Sequence, residues 1–294
     1  MSRPAPEVVT PHLLRGWPLP ELRADKESRG RVLIVGGSRV NPGGALLAAE
    51  AALRVGAGKV QVVTTESTAT ALAVALPEGM VRGVSEDSAG QLTLEAADVA
   101  VELAQECEAV LIGPGLGDPG TAGALAARIL PGLRTSVVLD ALALVAVTED
   151  PSCLEHLQGR AVLTPNLTEL ARTLGWDDAK VEDDPREAAL RLAARTGVCV
   201  SSGGQVTWTA HPDGRSWAGA VGGPGLGTSG SGDVKAGAVT GLCGRGADPC
   251  QAAVWGSHLH GSAGDRLTAE VGPAGFLARE LTLAIPRVLA ELDT

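Results

Sequence analysis

The sequence predicts an α/β fold in which a mainly parallel central sheet is flanked by helices on both faces. From Arg31 onward, short β-branched apolar runs alternate with Ala- and Leu-rich segments of helical length, which is the pattern of strands joined by crossover helices. The apolar runs are nearly continuous, as in strands that are buried on both faces. With 294 residues, 45% of them hydrophobic and 20% charged, the chain can fold around its own core.

The elements follow in order along the chain. Strands are predicted at residues 32–35, 60–64, 109–112, 137–140, 161–164 and 198–200. Helices are predicted at residues 44–55, 67–76, 94–107, 121–130, 167–174 and 185–196, with three more after Gly232. Pro212, Asp213 and Gly214 predict a hairpin within residues 206–220, and the acidic stretch 182–184 is expected to be a solvated loop. We expect an N-terminal extension over residues 1–29 and a single domain over residues 30–294.

The charge and the cysteines argue against several classes of function. The chain has 34 acidic and 24 basic residues, a formal net charge of −10, and 2% aromatic residues. This composition argues against partners that are nucleic acids or anionic membranes and favours small molecules. Five cysteines without a C-x-x-C pair predict reduced thiols rather than a disulfide framework or a zinc site. The lack of an apolar leader, and of any apolar run of about 18 residues, predicts a cytoplasmic protein.

Two glycine-rich loops follow predicted strands, at the sheet edge where parallel α/β proteins bind their ligands. The first runs from Gly36 to Gly44, and the second is Gly113-Pro114-Gly115-Leu116-Gly117. Glycines let backbone N–H groups approach a ligand closely, but they also make plain strand-to-helix turns, so both interpretations stay open. The chain has neither a G-x-G-x-x-G segment in the first loop nor a P-loop signature, which argues against Rossmann and Walker nucleotide sites.

A third loop, Thr164-Pro165-Asn166, precedes the helix that is predicted to begin at residue 167. Asn166 can cap this helix while Glu169, three residues later, reaches back to the cap. A capping role is therefore expected for Glu169.

The fourth loop, residues 222–233, places six glycines before one aspartate, Asp233. If residues 230–233 begin a helix, its free N–H groups and the positive end of its dipole form an anion hole for a phosphoryl group. Asp233 beside that hole can accept a proton from a substrate hydroxyl as the hydroxyl attacks phosphorus. The alternative is that Asp233 only stabilises the helix N-terminus.

The segment Gly227-Thr228-Ser229-Gly230-Ser231-Gly232-Asp233 resembles the anion-hole signature of ribokinase-like small-molecule kinases. Residues 30–38, 51–58, 76–81, 112–117 and 260–265 together resemble the ADP/ATP-dependent NAD(P)H-hydrate dehydratase branch of that superfamily and come in its order. The resemblance covers the chain from residue 30 to its end. It implies a ribokinase-like fold and a repair reaction in which the terminal phosphate of a nucleotide drives the dehydration of hydrated NADH or NADPH.

The resemblance also implies roles for individual residues. Asp233 would be the base that activates the ring hydroxyl. The phosphate would contact Thr228, Gly230, Ser231 and Gly232. The nucleotide would contact Ser201, Ser202, Gly203 and Gly204. The hydrated substrate would contact Gly44, Ala45, Gly115 and Asn166. ADP or ATP with Mg²⁺ is the implied cofactor, no residue is assigned as a metal ligand, and a homo-oligomer is the implied assembly.

Several positions differ from the family pattern. Asn166 stands where the family has His, and Ser201-Ser202 where it has Lys-Gly, which removes a titratable imidazole and a positive charge. Residues 140–145 lack one carboxylate and one amide, Gly223 replaces Asn, and Lys235 replaces an apolar residue after the anion hole. Two other functions therefore stay open, an ATP-dependent kinase of a small alcohol and a non-catalytic nucleotide-binding paralogue.

Two histidines and an aspartate lie in a predicted apolar helix after the anion hole. His258 and His260 are two residues apart, which places them on different faces, so packing or hydrogen bonding is expected rather than metal binding. Asp265 is expected to have a structural role at the end of this helix.

Overall fold

A ten-stranded sheet runs through the middle of the protein. The computed structural model describes residues 4–22 and 24–292. The strands are β1 (Glu7–Val8), β2 (Arg31–Val35), β3 (Lys59–Thr65), β4 (Gly79–Val84), β5 (Ala109–Ile112), β6 (Ser136–Leu139), β7 (Ala161–Leu163), β8 (Cys199–Ser202), β9 (Thr207–Ala210) and β10 (Ser216–Gly219). Their spatial order is β1-β10-β9-β8-β7-β6-β5-β2-β3-β4. All neighbours are parallel except β9, which runs antiparallel to β8 and β10 as the predicted hairpin requires.

Helices cover both faces of the sheet, as predicted. They are α1 (Pro11–Gly16), α2 (Gly43–Arg54), α3 (Glu66–Ala75), α4 (Ala96–Ala104), α5 (Pro119–Ile129), α6 (Leu144–Glu149), α7 (Leu167–Leu174), α8 (Asp178–Asp183), α9 (Pro185–Thr196), α10 (Ser231–Gly244), α11 (Pro249–Glu270) and α12 (Ala278–Leu292). Short 3-10 segments are Leu130–Gly132, Ala141–Ala143, Pro151–Leu157 and Pro224–Leu226. One apolar core lies under α2, α10, α11 and α12, and a second lies under α4, α5, α7 and α9.

Two strands, β1 and β4, and three short helices, α1, α6 and α8, differ from the sequence-based expectations. The six predicted strands are present, but β1 and β4 were not predicted, because β1 has two residues and β4 alternates exposed and partly buried positions instead of forming an apolar run. The expected loop at residues 182–184 is wrong, since Glu182 and Asp183 belong to α8. Val181 is fully buried and anchors this short helix, while the side chain of Asp184 accepts the N–H of Glu187, 2.9 Å away, at the start of α9.

Residues of the expected N-terminal extension pack against the sheet. β1 pairs with β10, and the rings of Trp17 and Trp217 stack with their centroids 5.5 Å apart. The carbonyl of Trp17 accepts hydrogen bonds from Gln251 Nε2 at 3.1 Å and from Trp255 Nε1 at 2.9 Å. These contacts tie the segment to α11, and the domain division at residue 30 stays a prediction.

The chain order of the strands reverses between β2 and β5. From β2 the chain proceeds through β3 and β4 to one side, and from β5 through β6, β7 and β8 to the other. Such a switch point leaves a crevice beyond the carboxyl ends of the two strands, where ligands of open α/β sheets bind. The two glycine-rich loops meet there, since the N–H of Gly37 donates to the carbonyl of Pro114 at 2.7 Å.

Among the described residues no helix is long and apolar enough to cross a membrane.

Candidate active site

Asp233 lies at the switch point, between the two glycine-rich loops. A Cβ on Gly44 would lie 2.7 Å from the nitrogen of Gly115 and 3.1 Å from Asp233 Oδ2. Gly115 has a φ of 72° and would bring a Cβ to 2.4 Å from the carbonyl oxygen of Asn41. Only glycine fits at these positions, so the backbones of the two loops contact each other and Gly44 comes close to the carboxylate.

Close packing of two helices sets this position of Asp233. On the face of α10 that packs against α2, a Cβ on Gly237 would lie 2.1 Å from the carbonyl oxygen of Ala48, and one on Gly241 would lie 2.6 Å from that of Ala52. Small residues therefore let the two helices approach more closely than larger side chains allow. As a result the N-terminus of α10, with Asp233, lies beside the N-terminus of α2, with Gly44.

The segment that is predicted to form an anion hole lies at the start of α10. Gly230 precedes the helix with a φ of 88°, and the helix begins at Ser231 as expected. The N–H of Ser231 donates to the carbonyl of Thr228 at 3.2 Å, whereas no hydrogen bond recorded between described residues uses the N–H of Gly230, Gly232 or Asp233. A Cβ on Gly232 would meet no atom within 4 Å. Free first-turn N–H groups beside open space at the positive end of a helix favour an anion.

His260 holds one side chain of the anion-hole segment. Its Nε2 lies 2.8 Å from Ser231 Oγ, and burial, together with the charge of Lys235, lowers the pKa of His260 to about 3. His260 is therefore neutral at physiological pH and orients Ser231. His258 Nε2 lies 3.3 Å from Ser262 Oγ, so the expected hydrogen-bonding roles of both histidines are confirmed.

Asp265 holds the beginning of the same loop. It lies inside α11 rather than at its end, and its Oδ2 accepts the N–H of Gly222 at 3.0 Å. The expected helix-end role is therefore wrong. The carboxylate instead ties α11 to the glycine-rich segment that leads to Asp233.

Two carboxyl groups near the crevice have raised pKa values. Burial, and then the charge of Glu169, raises the pKa of Asp233 to about 6. Asp140, at the end of β6, is buried and accepts a hydrogen bond from Thr164 Oγ1 at 2.7 Å. Burial, followed by the charges of Asp233 and Glu169, raises the pKa of Asp140 to about 8. At neutral pH Asp233 is therefore mostly ionised and able to accept a proton, whereas Asp140 is mostly protonated.

A buried lysine connects α10 to the end of β8. Lys235 is 7% exposed, and its Nζ donates to the carbonyl oxygen of Ser201 at 3.2 Å. Burial lowers the pKa of Lys235, and the negative charges of Asp140 and Glu169 act in the opposite direction. The sequence analysis noted Lys235 as a departure from the family pattern without assigning it a role.

The segment expected to contact the nucleotide begins with two buried serines. Ser201 and Ser202 are each 0% exposed, and Ser201 Oγ lies 2.9 Å from Ser257 Oγ. The N–H of Gly203 donates to the carbonyl of Pro165 at 3.0 Å, and a Cβ on Gly203 would meet no atom within 4 Å. A nucleotide here would meet the backbone around Gly203 and Gly204 rather than the serine hydroxyls.

The expected substrate residues come from three segments, the start of α2, the loop after β5 and the start of α7. Gly44, Gly115 and the fully buried Ala45 lie beside the switch point. Asn166 is exposed at the N-terminus of α7, where its Oδ1 accepts the N–H of Glu169 at 2.8 Å and its own N–H donates to Glu169 Oε2 at 2.9 Å. The predicted capping role of Glu169 is confirmed, and the NH₂ group of the Asn166 amide has no partner among the described residues.

Two cavities lie at the opposite, amino-terminal edge of the sheet, away from Asp233. One, of about 550 Å³, is lined by residues before β5, β6 and β7, including Glu108, Arg134 and Arg160. The other, of about 360 Å³, is lined in part by His211, Asp213 and Asp248. The site around Asp233 is therefore identified by topology and chemistry rather than by the size of a cavity.

Comparison with known proteins agrees with this geometry. The family model described as NAD(P)H-hydrate dehydratase matches residues 32–287. An ADP-dependent (S)-NAD(P)H-hydrate dehydratase of Xanthomonas campestris pv. campestris is 42% identical to this chain over 294 residues. The match covers 99% of each of the two chains. Several other relatives are longer, and the chain spans about half of their length.

Solved structures confirm the fold class. The ADP/ATP-dependent NAD(P)H-hydrate dehydratase of Bacillus subtilis, co-crystallised with ATP and Mg²⁺, superposes with a TM-score of 0.80 at 27% identity, over 97% of this chain and 98% of that one. A ribokinase-like superfamily protein of Enterococcus faecalis gives a TM-score of 0.81 at 24% identity, over 97% and 96% of the two chains. The predicted ribokinase-like α/β fold is therefore confirmed, and the chain belongs to the NAD(P)H-hydrate dehydratase family.

Proposed function

We propose that this protein dehydrates hydrated NADH and NADPH at the expense of ADP or ATP, and that Asp233 is the base of the reaction. The observation that carries this proposal is the position of the Asp233 carboxylate, which lies at the switch point between Gly44, Gly115 and the free N–H groups of α10. The full-length similarity to a dehydratase supports the choice of substrate.

The first step is a phosphoryl transfer. The ring hydroxyl of the hydrated nicotinamide attacks the terminal phosphorus of the nucleotide while Asp233 accepts the hydroxyl proton. A new O–P bond forms, the bond to the leaving nucleotide phosphate breaks, and ADP gives AMP or ATP gives ADP. The N–H groups of Gly232 and Asp233 stabilise the charge on the transferred group.

The second step is an elimination. The C–O bond of the phosphorylated ring breaks, inorganic phosphate leaves, and the neighbouring carbon loses a proton, which restores the ring double bond. Hydroxide is a poor leaving group and phosphate is a good one, so two easier steps replace one difficult step. Glycine at positions 44 and 115 lets the two loops pack closely beside Asp233 without side chains between them.

The polar groups of the crevice are compatible with Mg²⁺. Mg²⁺ binds proteins through one or two carboxylates, with phosphate oxygens and water completing its shell. No group of three or more potential ligands is found among the described residues, so the nucleotide would supply most of the ligands. Glu169 is partly exposed, affects the pKa of both Asp140 and Asp233, and is the carboxylate we assign to the ion. When bound, Mg²⁺ would offset the negative charge of the phosphates.

The location and assembly belong to the same proposal. Five free cysteines, four of them buried, fit a reducing compartment, and we place the protein in the cytoplasm. The net charge of −10 favours small-molecule partners over nucleic acid or an anionic membrane. A homo-oligomer remains our expectation from the family resemblance.

A direct assay tests the function. The protein is incubated with hydrated NADH, Mg²⁺ and either ADP or ATP, and the return of the near-ultraviolet absorbance of reduced nicotinamide is followed. We expect recovery that depends on the nucleotide and is lost in Asp233→Asn. No recovery, with phosphate transferred to a small alcohol, would support the kinase alternative; nucleotide binding without any turnover would support a non-catalytic paralogue.

A further inference from the structure

Lys235 is a charged residue inside a helix that is otherwise uncharged beyond its first turn. From Val234 to Gly244 every residue of α10 is buried, and Lys235 is the charged member of this stretch. Removing an ammonium group from water is costly unless a partner compensates for it. A lysine at this position therefore needs a physical reason.

The side chain of Lys235 extends to the end of β8. Side chains on an α-helix tilt toward its N-terminus, which for α10 is the anion-hole end. Nζ reaches the carbonyl oxygen of Ser201 at 3.2 Å, directly before the segment that borders open space at Gly203. An ammonium group has three N–H donors, and the hydrogen bonds recorded between described residues use one of them. Two donors thus remain for a ligand at this end of the sheet.

The charges around the crevice show what such a ligand needs. Asp233 is mostly ionised at neutral pH, although burial and then the charge of Glu169 raise its pKa to about 6, and His260 is neutral because burial lowers its pKa to about 3. The positive charge of Lys235 lowers the pKa of Asp140. The pKa of Asp233 is set by burial and by the charge of Glu169, with no positive charge among its causes. Nucleotide phosphates that enter here would meet carboxylates, and Lys235 is positioned to offset that repulsion.

We propose that Lys235 is a nucleotide-binding residue whose ammonium group contacts phosphate oxygens at the end of β8. This inference rests on the proposed nucleotide dependence. In the free protein the ammonium is held by the Ser201 carbonyl, and in the complex its two remaining N–H donors bind phosphate. Charge-assisted hydrogen bonds of this kind are stronger than neutral ones.

A different role would also explain a buried lysine. Lys235 would then serve only as a counter-charge that keeps Asp140 and Glu169 compatible with burial. Such a role predicts that removing the lysine lowers stability and weakens every ligand alike. Phosphate contact predicts instead a loss of affinity that grows with the number of phosphates on the ligand.

The test measures binding of adenosine, AMP and ADP by calorimetry, with Mg²⁺ and without hydrated substrate. In Lys235→Met we expect ADP affinity to fall about tenfold or more, while adenosine affinity changes less than about twofold. Lys180→Met removes an exposed lysine from α8 and is the matched control, with ADP affinity expected to stay at the wild-type value. Equal losses for adenosine and ADP, or an unchanged ADP affinity, would overturn the proposal.

A double variant separates charge compensation from phosphate binding. Asp140→Asn with Lys235→Met replaces the buried lysine and the neighbouring carboxyl group by side chains that cannot ionise. The double variant therefore restores stability if Lys235 is only a counter-charge, and it is used for the binding test if the single variant does not fold. We expect its affinity for ADP relative to adenosine to stay low, and recovery to the wild-type ratio would overturn the proposal. If the wild-type protein binds ADP but restores no NADH, the proposed dehydratase function fails and the role of Lys235 is judged on binding alone.

Discussion

The two sides of the crevice are built in opposite ways. The glycine side, formed by Gly44, Gly115 and Gly230, is defined by missing side chains, since a Cβ at any of these positions would lie within 2.7 Å of another atom. The charged side, formed by Asp140, Glu169 and Lys235, is defined by ionisable groups whose charges influence one another's pKa values. One side therefore provides close approach, and the other provides charge.

Asp233 lies where the two sides meet. Its Oδ2 is 3.1 Å from the position a Cβ on Gly44 would take, and its pKa responds to Glu169 on the charged side. Because a variant of the glycine side leaves the residues of the charged side unchanged, and the reverse, the steric and the electrostatic requirements of the reaction can be tested separately.

The largest effect is expected where both sides converge. Asp233→Asn keeps the shape of the side chain but removes the proton acceptor, so kcat should fall about 10³-fold. Nucleotide affinity should change little, which equilibrium binding of ADP would check. Turnover within about twofold of the wild type would rule out Asp233 as the base.

The second largest effect on activity is expected when a methyl group is added on the glycine side. In Gly44→Ala the new Cβ would contact the Gly115 nitrogen and Asp233, so we expect a loss of kcat/KM of about 10- to 100-fold. Gly43→Ala is the matched control, because a Cβ on the preceding residue would meet no atom within 4 Å. Steady-state kinetics of both variants decide the point, and equal activities would show that the glycine side does not constrain the reacting groups.

The charged side should set the pH dependence of the reaction. Asp233 acts as a base only when it is deprotonated, and its pKa is raised to about 6, so kcat/KM should fall as the pH drops through about 6. Carbon-13 NMR titration of the carboxyl groups, assigned with Asp233→Asn, measures this pKa independently of substrate titration. A midpoint near the ordinary value for Asp would contradict the influence of burial and Glu169.

Asp140 provides the control for this titration. Its pKa is raised to about 8, so it is mostly protonated at pH 6, and the amide in Asp140→Asn mimics that neutral form. The midpoint of Asp233 should therefore stay in place in this variant.

The smallest effect concerns Asn166, which caps the helix that carries Glu169. Asn166→Ala removes the side-chain cap of α7 and should lower the free energy of unfolding by about 1 kcal/mol. Asn166→Ser keeps a capping oxygen but lacks the amide NH₂ group, so weaker binding of hydrated NADH at near-normal stability would identify a substrate contact. Denaturant unfolding and KM together separate the two roles, and an unchanged KM in the Ser variant would remove Asn166 from the substrate site.

The glycine side and most of the fold could be predicted from the sequence because their signals are local. The apolar runs gave β2, β3 and β5 to β8, and the glycines before Asp233 predicted the start of α10. β4 was not predicted because its residues are exposed or partly buried and do not form an apolar run.

The charged side could not be predicted in the same way. Glu169 was recognised as a helix cap from its spacing to Asn166, but its influence on Asp233 depends on how β7 and α10 come together in space. The same holds for Lys235, whose partner on β8 lies far away in the sequence. Burial of Ser201 and Ser202 also depends on packing against α11, which their local sequence does not reveal.

The pairing of β1 with β10 also bears on self-association. Without β1, the strand β10 would present unpaired N–H and C=O groups to any passing chain, which is how sheets polymerise into fibrils. β1 satisfies these groups and exposes a replacement of only two residues, followed closely by Pro11 and preceded by Pro4 and Pro6, which have no N–H to donate. The first strand thus protects this edge of the sheet from lateral growth.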